Sequence, residues 1–254
     1  MKEQLKNEFL DKFGNVVVSY LKFTEKKEWA EGIVSGNLYM KPIKYYRDLE
    51  TKYGIKGQGD SREVSLISED VRVTITSLDT GVVIPGEARE VRIHYPKDEK
   101  NPIFCITGIK VKDLEIKEFD EESIKFKLPF TTSDLEQFKR DFGNYAVIIM
   151  AETFQSAIKG ALEKQNINGY FGEVIYCEND TIEKERDFFN EELKRFMYKD
   201  ADFSYQKEHR LVLDDSVVEE RFFDVGSLKE YANLFEVDKL LDFEICIKYV
   251  RKNI

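Results

Sequence analysis

An α+β fold with a mixed or antiparallel sheet core and flanking helices is what this 254-residue chain predicts, on three observations. Residues 62–111 are strand-like throughout and punctuated by turn chemistry. The second half alternates apolar runs of strand length with segments of helical spacing. No repeat, low-complexity tract or linker divides the chain, so a single α+β domain carrying an all-β insert at 62–111 is expected.

Taken in order, Leu5, Phe9, Leu10 and Phe13 form one helical face, which Gly14-Asn15 stops. Residues 16–24 (VVVSYLKFT) read as a strand. Thr24 is placed to cap a helix that runs to about residue 35 and ends at Gly36-Asn37, and Leu38 to Met40 starts another extended piece. Within the insert, RVTITS, GVVI, REVRIHY and IFCITGIKV are separated by Asp-Thr-Gly, Pro-Gly and Lys-Asp-Glu-Lys-Asn-Pro. Ser133 with Glu136 forms a capping box before a short helix. Residues 144–150 (NYAVIIM) are apolar nearly throughout, the mark of a central strand. Phe154, Ala157, Ile158, Ala161 and Leu162 then follow at helical spacing. A strand at 170–177, a helix bearing Phe188, Phe189, Leu193, Phe196 and Met197, and a strand at 205–213 come next. Ser227 with Glu230 opens a last helical region, and residues 243–250 (FEICIKYV) close as a strand.

A chain of this length buries about three quarters of the surface its unfolded form exposes. Hydrophobic residues at 42% and aromatics at 13% exclude disorder. With 39 Lys and Arg against 49 Asp and Glu, the net charge is −10. A field of that sign disfavours loose binding to DNA, RNA or anionic lipid, and it leaves room for a local basic pocket. Cys105, Cys177 and Cys246 are far apart, odd in number and each within an apolar run. They read as buried free thiols in a reducing compartment. Residues 2–13 are charged and amphipathic, and no apolar run approaches about 18 residues. The expectation is a cytoplasmic chain with no membrane partner. Only His94 and His209 are present and no cysteine pair has ligand spacing, so no metal is expected. Neither a dinucleotide GxGxxG nor a Walker motif occurs.

Three places rise above this background. In strand 205–213 alternation points Gln206, Glu208 and Arg210 to one face ahead of Val212, the pattern of a strand entering a core from the rim of a cleft. The pair reads equally as a cross-strand ion pair or as a site. In a site, Glu208 orients a ribose hydroxyl or acts as a base, Arg210 holds an anion, and Tyr205 stacks on a ring. In strand 16–24, Lys22 and Thr24 follow Tyr20 on one face. Lys22 either meets an anionic group or sits at the rim, and Thr24 more simply caps the next helix. The third place is Tyr45 to Glu50 with Gln58 to Glu63. There Arg47 offers a bidentate clamp for phosphate or carboxylate, and the Gly59-Asp60 turn offers backbone N–H groups. A surface salt-bridge cluster is the commoner outcome for such a segment. The glycine-containing loop 48–62, with Lys56-Gly57 inside it, has few apolar anchors and fits a mobile lid.

Tyr20-Leu21-Lys22-Phe23-Thr24, a helix, and then Ile33 to Met40 (IVSGNLYM) resemble the opening of a large uncharacterised bacterial and phage family. Its members begin with a Tyr-x-Lys-Tyr/Phe strand and a helix ending in Ser-Gly-x-Leu. They continue with an aromatic-rich acidic stretch, similar to Tyr45 to Glu50, and finish with a Glu-x-Arg strand, matched by Glu208-His209-Arg210. The motifs are short, and residues 62–111 and those past 214 lie outside the match. The layout is also distantly similar to ADP-ribosyltransferase folds, which use a first-strand His or Arg with a Thr two residues on, a mid-chain aromatic and a late glutamate. That resemblance puts Lys22 and Thr24, Tyr170 and Glu208 at those places. It implies a NAD-type cofactor, with Glu208 catalytic and Lys22 on its diphosphate; Arg47 and Arg210, read above as anion holders, complete the candidate cofactor-binding set. Lys22 stands where His or Arg is expected, and an ammonium lacks their planar donor geometry. Nucleotide binding without transfer is therefore equally compatible.

Two functions from different classes follow as expectations. The first is an ADP-ribosyltransferase-like, nucleotide-binding domain of a phage or mobile-element accessory protein. The second is a non-catalytic anti-defence protein that docks on a host defence protein through an acidic, tyrosine-rich surface. Mimicry of nucleic acid comes last, because the basic residues are mixed among the acids.

Overall fold

The computed structural model describes residues 2–54, 58–119, 123–178 and 180–248. Its elements in chain order begin with α1 (Lys2–Phe13), β1 (Val17–Thr24), α2 (Lys27–Val34), β2 (Asn37–Pro42) and α3 (Ile43–Tyr53). Next come β3 (Leu66–Thr76), β4 (Val83–Ile93), β5 (Pro102–Lys110), β6 (Glu115–Phe119), β7 (Ser123–Lys127) and α4 (Thr132–Phe142). They continue with β8 (Tyr145–Met150), α5 (Ala151–Gln165), β9 (Gly169–Glu173), β10 (Ile175–Cys177) and α6 (Ile182–Asn190). The chain closes with β11 (Tyr198–Asp200), β12 (Glu208–Leu213), β13 (Arg221–Asp224), β14 (Ala232–Glu236) and β15 (Glu244–Lys248). The fold is α+β. Among the described residues the main sheet has eight strands, paired in the order β13-β2-β5-β1-β8-β14, with β12 on β5 and β9 on β12. Its pairings are antiparallel, whereas β10 and β11 pair in parallel.

The sheet is covered on both sides. On one face Val147 and Ile149 pack with Phe154, Ile158 and Ala161 of α5. On the other, Ala146 and Ile148 join Leu135 and Phe138 of α4 and Ile124 and Phe126 of β7. A strand with an apolar layer on each side has no polar period, which explains the unbroken NYAVIIM run. Among the described residues no helix is long and apolar enough to cross a membrane.

Several local expectations are revised. The stretch 62–111 is not one insert, because β5 is interior to the main sheet, between β1 and β2 on one side and β12 on the other. Only β3 and β4 stand apart, as a two-stranded ribbon. Pro85-Gly86 lies inside β4 rather than at a turn, which a ribbon strand with a free edge tolerates. Thr24 does not cap α2. Lys26 is the N-cap residue, and the Thr24 hydroxyl donates to the Lys26 carbonyl at 3.0 Å. The α4 capping box is Thr131 with Asp134, two residues earlier than expected. Ser227 opens no helix: residues 229–231 form a turn that leads into β14. Instead Val225 and Leu228 donate backbone bonds to Gly36 and Val34, so this segment is spent on the end of α2. There Gly36, at φ 92°, lies so close to Gly226 that any Cβ would collide with its carbonyl. Cys105, Cys177 and Cys246 are free, but Cys105 and Cys177 are half-buried and Cys246 is exposed. Of the closing strand, residues 249–250 lie outside the described residues.

Candidate functional site

β12 starts abruptly. Residues Ala201–Gln206 form a 3-10 turn, Lys207 takes φ 45°, and Glu208 is the first strand residue, so Tyr205 and Gln206 are not part of the strand. Flanked by β5 and β9, β12 is buried along its whole length. Glu208 and Arg210 project to the same face, but that face is not the rim of a cleft: they are 4% and 0% exposed. Arg210 Nε and Nη2 reach Glu208 Oε1 at 2.8 and 2.7 Å. Its Nη1 donates to Glu63 Oε1 at 2.7 Å and to the Phe196 carbonyl at 2.5 Å. Lys199, from β11, donates to Glu208 Oε2 at 3.1 Å and to Gln206 Oε1 at 2.9 Å. The Cys105 thiol is a further neighbour that favours the ionised form of Glu208.

Glu63 comes from the segment between α3 and β3, and Arg47 holds it there. Arg47 Nε donates to the Glu63 carbonyl at 2.8 Å and Nη2 to the Val64 carbonyl at 3.0 Å. Val64 sits at φ 49°, a left-handed conformation that a β-branched residue adopts only under constraint. Thus each of the two carboxylates adjoins a strained residue, Glu63 beside Val64 and Glu208 beside Lys207. Asp60, 3% exposed, accepts the Arg62 backbone N–H at 2.8 Å.

Three carboxyl groups lie near the cations Lys199 and Arg210, and two of them, Glu208 and Asp60, are pushed in opposite directions. Burial works to raise Glu208, yet the Arg210 guanidinium and then the Lys199 ammonium hold it well below the usual carboxylate range. Burial, and next the Glu63 charge, push Asp60 up to about 7. Burial, and next Glu208, push the Cys105 thiol up to about 12, so at neutral pH it is not a thiolate nucleophile. Burial of so much charge is weak as a stability device, and carboxyls pushed in opposite directions occur both in acid–base sites and in structural ion-pair networks.

The other expected site residues fare differently. Lys22 is near the cluster. It is half-buried, and its Nζ donates to the Cys105 carbonyl at 2.7 Å, where β5 passes from its pairing with β1 (Leu21 with Thr107) to that with β2 (Lys41 with Ile103). Burial lowers its proton affinity, while Cys105 and Glu208 oppose the drop. Thr24 is spent on its turn, as described above. Tyr170, 38% exposed, lies on the Arg210 side of edge strand β9, its ring over Gly172 opposite Arg210. Arg47 grips backbone carbonyls rather than standing free for a phosphate. Of the loop expected at 48–62, residues 48–53 are helical in α3 and 55–57, with Lys56-Gly57, lie outside the described residues. The remainder is tied down, with Ser61 N–H on Glu50 Oε2 at 2.6 Å and Gln58 Nε2 on the Asp141 carbonyl at 2.5 Å.

Sequence reasoning missed the rest of the cluster. Asp60 and Glu63 lie in a run that the sequence offers for its backbone N–H groups or as a surface salt-bridge cluster, not for buried carboxyls. Lys199, in MYKD, gave no signal, because a single lysine in a short apolar run does not declare a partner nine residues on. Among the described residues no group of three or more His, Cys, Asp or Glu side chains is arranged to hold a metal ion. The chain matches no family model, no curated protein and no solved structure.

Proposed function

We propose that the protein binds an NAD-type nucleotide and acts on its N-glycosidic bond, as an ADP-ribosyltransferase-like domain, at the cluster of Asp60, Glu63, Lys199, Glu208 and Arg210. The observation that carries this reading is the pair of buried carboxyls pushed in opposite directions, Glu208 down and Asp60 up to about 7. Cleavage at ribose C1′ leaves a cationic sugar centre and a neutral nicotinamide. A permanently ionised carboxylate stabilises the first, and a carboxyl that exchanges its proton near neutrality serves the incoming nucleophile. Arg210 and Lys199 hold Glu208 ionised and aimed, and Arg47 positions Glu63 through its backbone. Because Glu208 is buried, the ligand must displace part of its cover, and the strained Val64 and Lys207 are the points where that cover has energy to release.

Calorimetric titration with NAD, ADP-ribose and ATP, alongside nicotinamide release, tests the reading. Saturable binding and turnover are expected in the parent, with turnover lost by at least about a hundredfold in Glu208→Gln and Asp60→Asn. Silence with all three ligands sinks it.

The β3–β4 ribbon favours a second reading, docking on a host protein. Val71, Val73 and Ile75 face Ala88, Gly86 and Ile84 across it, and Ile75, Leu78, Val83 and Ile84 are exposed. A two-stranded ribbon gains little stability alone. Under this reading Ile75→Ser with Ile84→Ser abolishes activity in cells, and Glu208→Gln does not.

A further inference from the structure

We propose that the outer half of the β3–β4 ribbon is a self-association element, in which β3 pairs edge to edge and antiparallel with β3 of a second copy of this chain, about a two-fold axis at Val73. Past Ile67 no residue of β3 is buried, nor is any of β4, and among the described residues the two strands pair only with each other. A two-stranded ribbon is marginal in water, and three or more strands with an apolar face are needed to hold by themselves.

The two free edges differ. Ser77 N–H donates to the Val82 carbonyl at 2.9 Å, which sets the phase of the ladder that follows. Val71, Val73 and Ile75 therefore turn their backbone groups toward β4, and Arg72, Thr74 and Thr76 turn theirs outward. On β4 the outward set is Val83, Pro85 and Glu87, and Pro85 has no N–H to give. The β4 edge is thus blocked by its own sequence. The β3 edge has no such device. Residues 71–76 (VRVTIT) hold no Pro, Gly or Lys, and all but Arg72 are β-branched.

Register and charge commit that edge to a second copy. Opposing even-numbered residues to even-numbered ones keeps like faces together and joins outward groups to outward groups. A centre at Arg72 would set two guanidiniums against each other, and a centre at Thr74 would leave Val71 opposite Ser77. The centre at Val73 opposes Val71 to Ile75 and Val73 to itself, and closes four backbone bonds between Arg72 and Thr74 of the two copies. The apolar face of Val71, Val73, Ile75, Ile84 and Ala88, on which Ile75 and Ile84 are exposed, then runs unbroken across the axis. Arg72 faces Glu87 within its own ribbon, so residues 71–76 and 83–88 have no net charge on a chain of net charge −10. Copies of an acidic chain repel one another, and here they meet without adding charge.

This contact goes beyond the glycosidic reading and is independent of it, so Glu208→Gln should associate as the parent does. It gives the ribbon to a second copy rather than to a host protein. Sedimentation velocity of the full chain over rising concentration should show a monomer–dimer equilibrium that tightens with added salt, which screens the repulsion between copies. Thr74→Pro removes an outward N–H that the ribbon itself does not use, and should weaken the dimer by at least about tenfold. Val83→Pro, on the blocked edge, should leave it unchanged. In a Cys246→Ser background, Val73→Cys brings two Cα atoms about 4.5 Å apart across the axis and should form an intermolecular disulfide on mild oxidation. Ile75→Cys, about 13 Å from its counterpart, should not. That cross-link needs no proline, so it decides the matter even where Thr74→Pro fails to fold. A monomer at every concentration, a dimer that loosens with salt or survives in folded Thr74→Pro, or equal cross-linking at positions 73 and 75 overturns the proposal.

Discussion

Two buried ionic sites lie side by side in this molecule, and only one of them is closed. Arg195 and Asp98 form a bidentate pair at 2.6 and 2.8 Å, with side chains 5% and 2% exposed and the guanidinium over the Tyr95 ring at 4.6 Å. One cation meets one anion, and no flanking residue has a left-handed backbone. The neighbouring cluster also begins with an arginine, and Arg210 even bonds the carbonyl of Phe196, the residue after Arg195. Its charges do not close one to one: Asp60 accepts a single backbone N–H, and the charges of Lys199 and Arg210 only partly offset its burial and the like charge of Glu63. The backbone is strained at two points beside it. A matched pair needs nothing further from the molecule, whereas an unmatched set held in place by strain retains chemical potential for a ligand or a proton.

The largest expected effects separate the two sites by double substitution. Arg195→Met and Arg210→Met should each destabilise by about 3–5 kcal/mol, because each strands a buried carboxylate. Pairing Arg195→Met with Asp98→Leu should restore most of the loss, since an apolar pair of similar volume replaces a closed ion pair at little cost. Pairing Arg210→Met with Glu208→Leu should not, because Glu63 and Lys199 remain behind. Urea denaturation measures all four, and full recovery in the second pair would make the cluster an ordinary closed network.

pH gives the next contrast. Asp60 has a folded-state value near 7 against about 3.9 unfolded. Between those values the folded protein binds the extra proton, so this contribution is full below about pH 4 and is lost as pH rises through 7. The loss is about 4 kcal/mol at most. Glu208 runs the other way: its lowered value gives stability that is present above about pH 4 and lost on acidification. Asp60→Asn keeps an oxygen for the Arg62 N–H and removes the titration. It should be more stable than the parent at pH 8, by roughly 2 kcal/mol, and no more stable at pH 4. Parallel stability curves across that window would mean that Asp60 titrates normally.

How much of this was legible in the sequence follows from the range of the forces involved. The α+β class, β1, β8 and α5 are local patterns of apolar spacing, and they read correctly. Glu208 and Arg210 share a face because strands alternate, and that too is local. What could not be read is what lies opposite. The partners of Arg210 are 147 residues away at Glu63 and nearer by at Glu208, and the run from Gln58 to Glu63 has the composition of an exposed loop. Thr24 reads as a cap from its neighbours alone, and only the geometry of the turn gives its hydroxyl to Lys26. The Ser227–Glu230 box fails for a tertiary reason, because its backbone is spent on Val34 and Gly36.

The smallest prediction concerns the strain itself. Lys207 holds φ 45° just before Glu208, and its ammonium pairs with Asp113 at 2.8 Å while 38% exposed. Lys207→Ala and Lys207→Gly both delete that exposed pair, which is worth about 0–1 kcal/mol. They differ in the left-handed backbone, which glycine adopts freely and alanine does not. Lys207→Gly should therefore exceed Lys207→Ala by about 1 kcal/mol in thermal or urea unfolding. The Gly108 N–H still bonds the residue 207 carbonyl in either variant, so the turn is kept and the difference isolates the strain. If relieved strain at 207 also lowers turnover, the stored energy belongs to the working of the cluster. Equal stabilities would place the constraint elsewhere in the turn and leave Val64 as the strained point that sets the cluster apart from the closed pair.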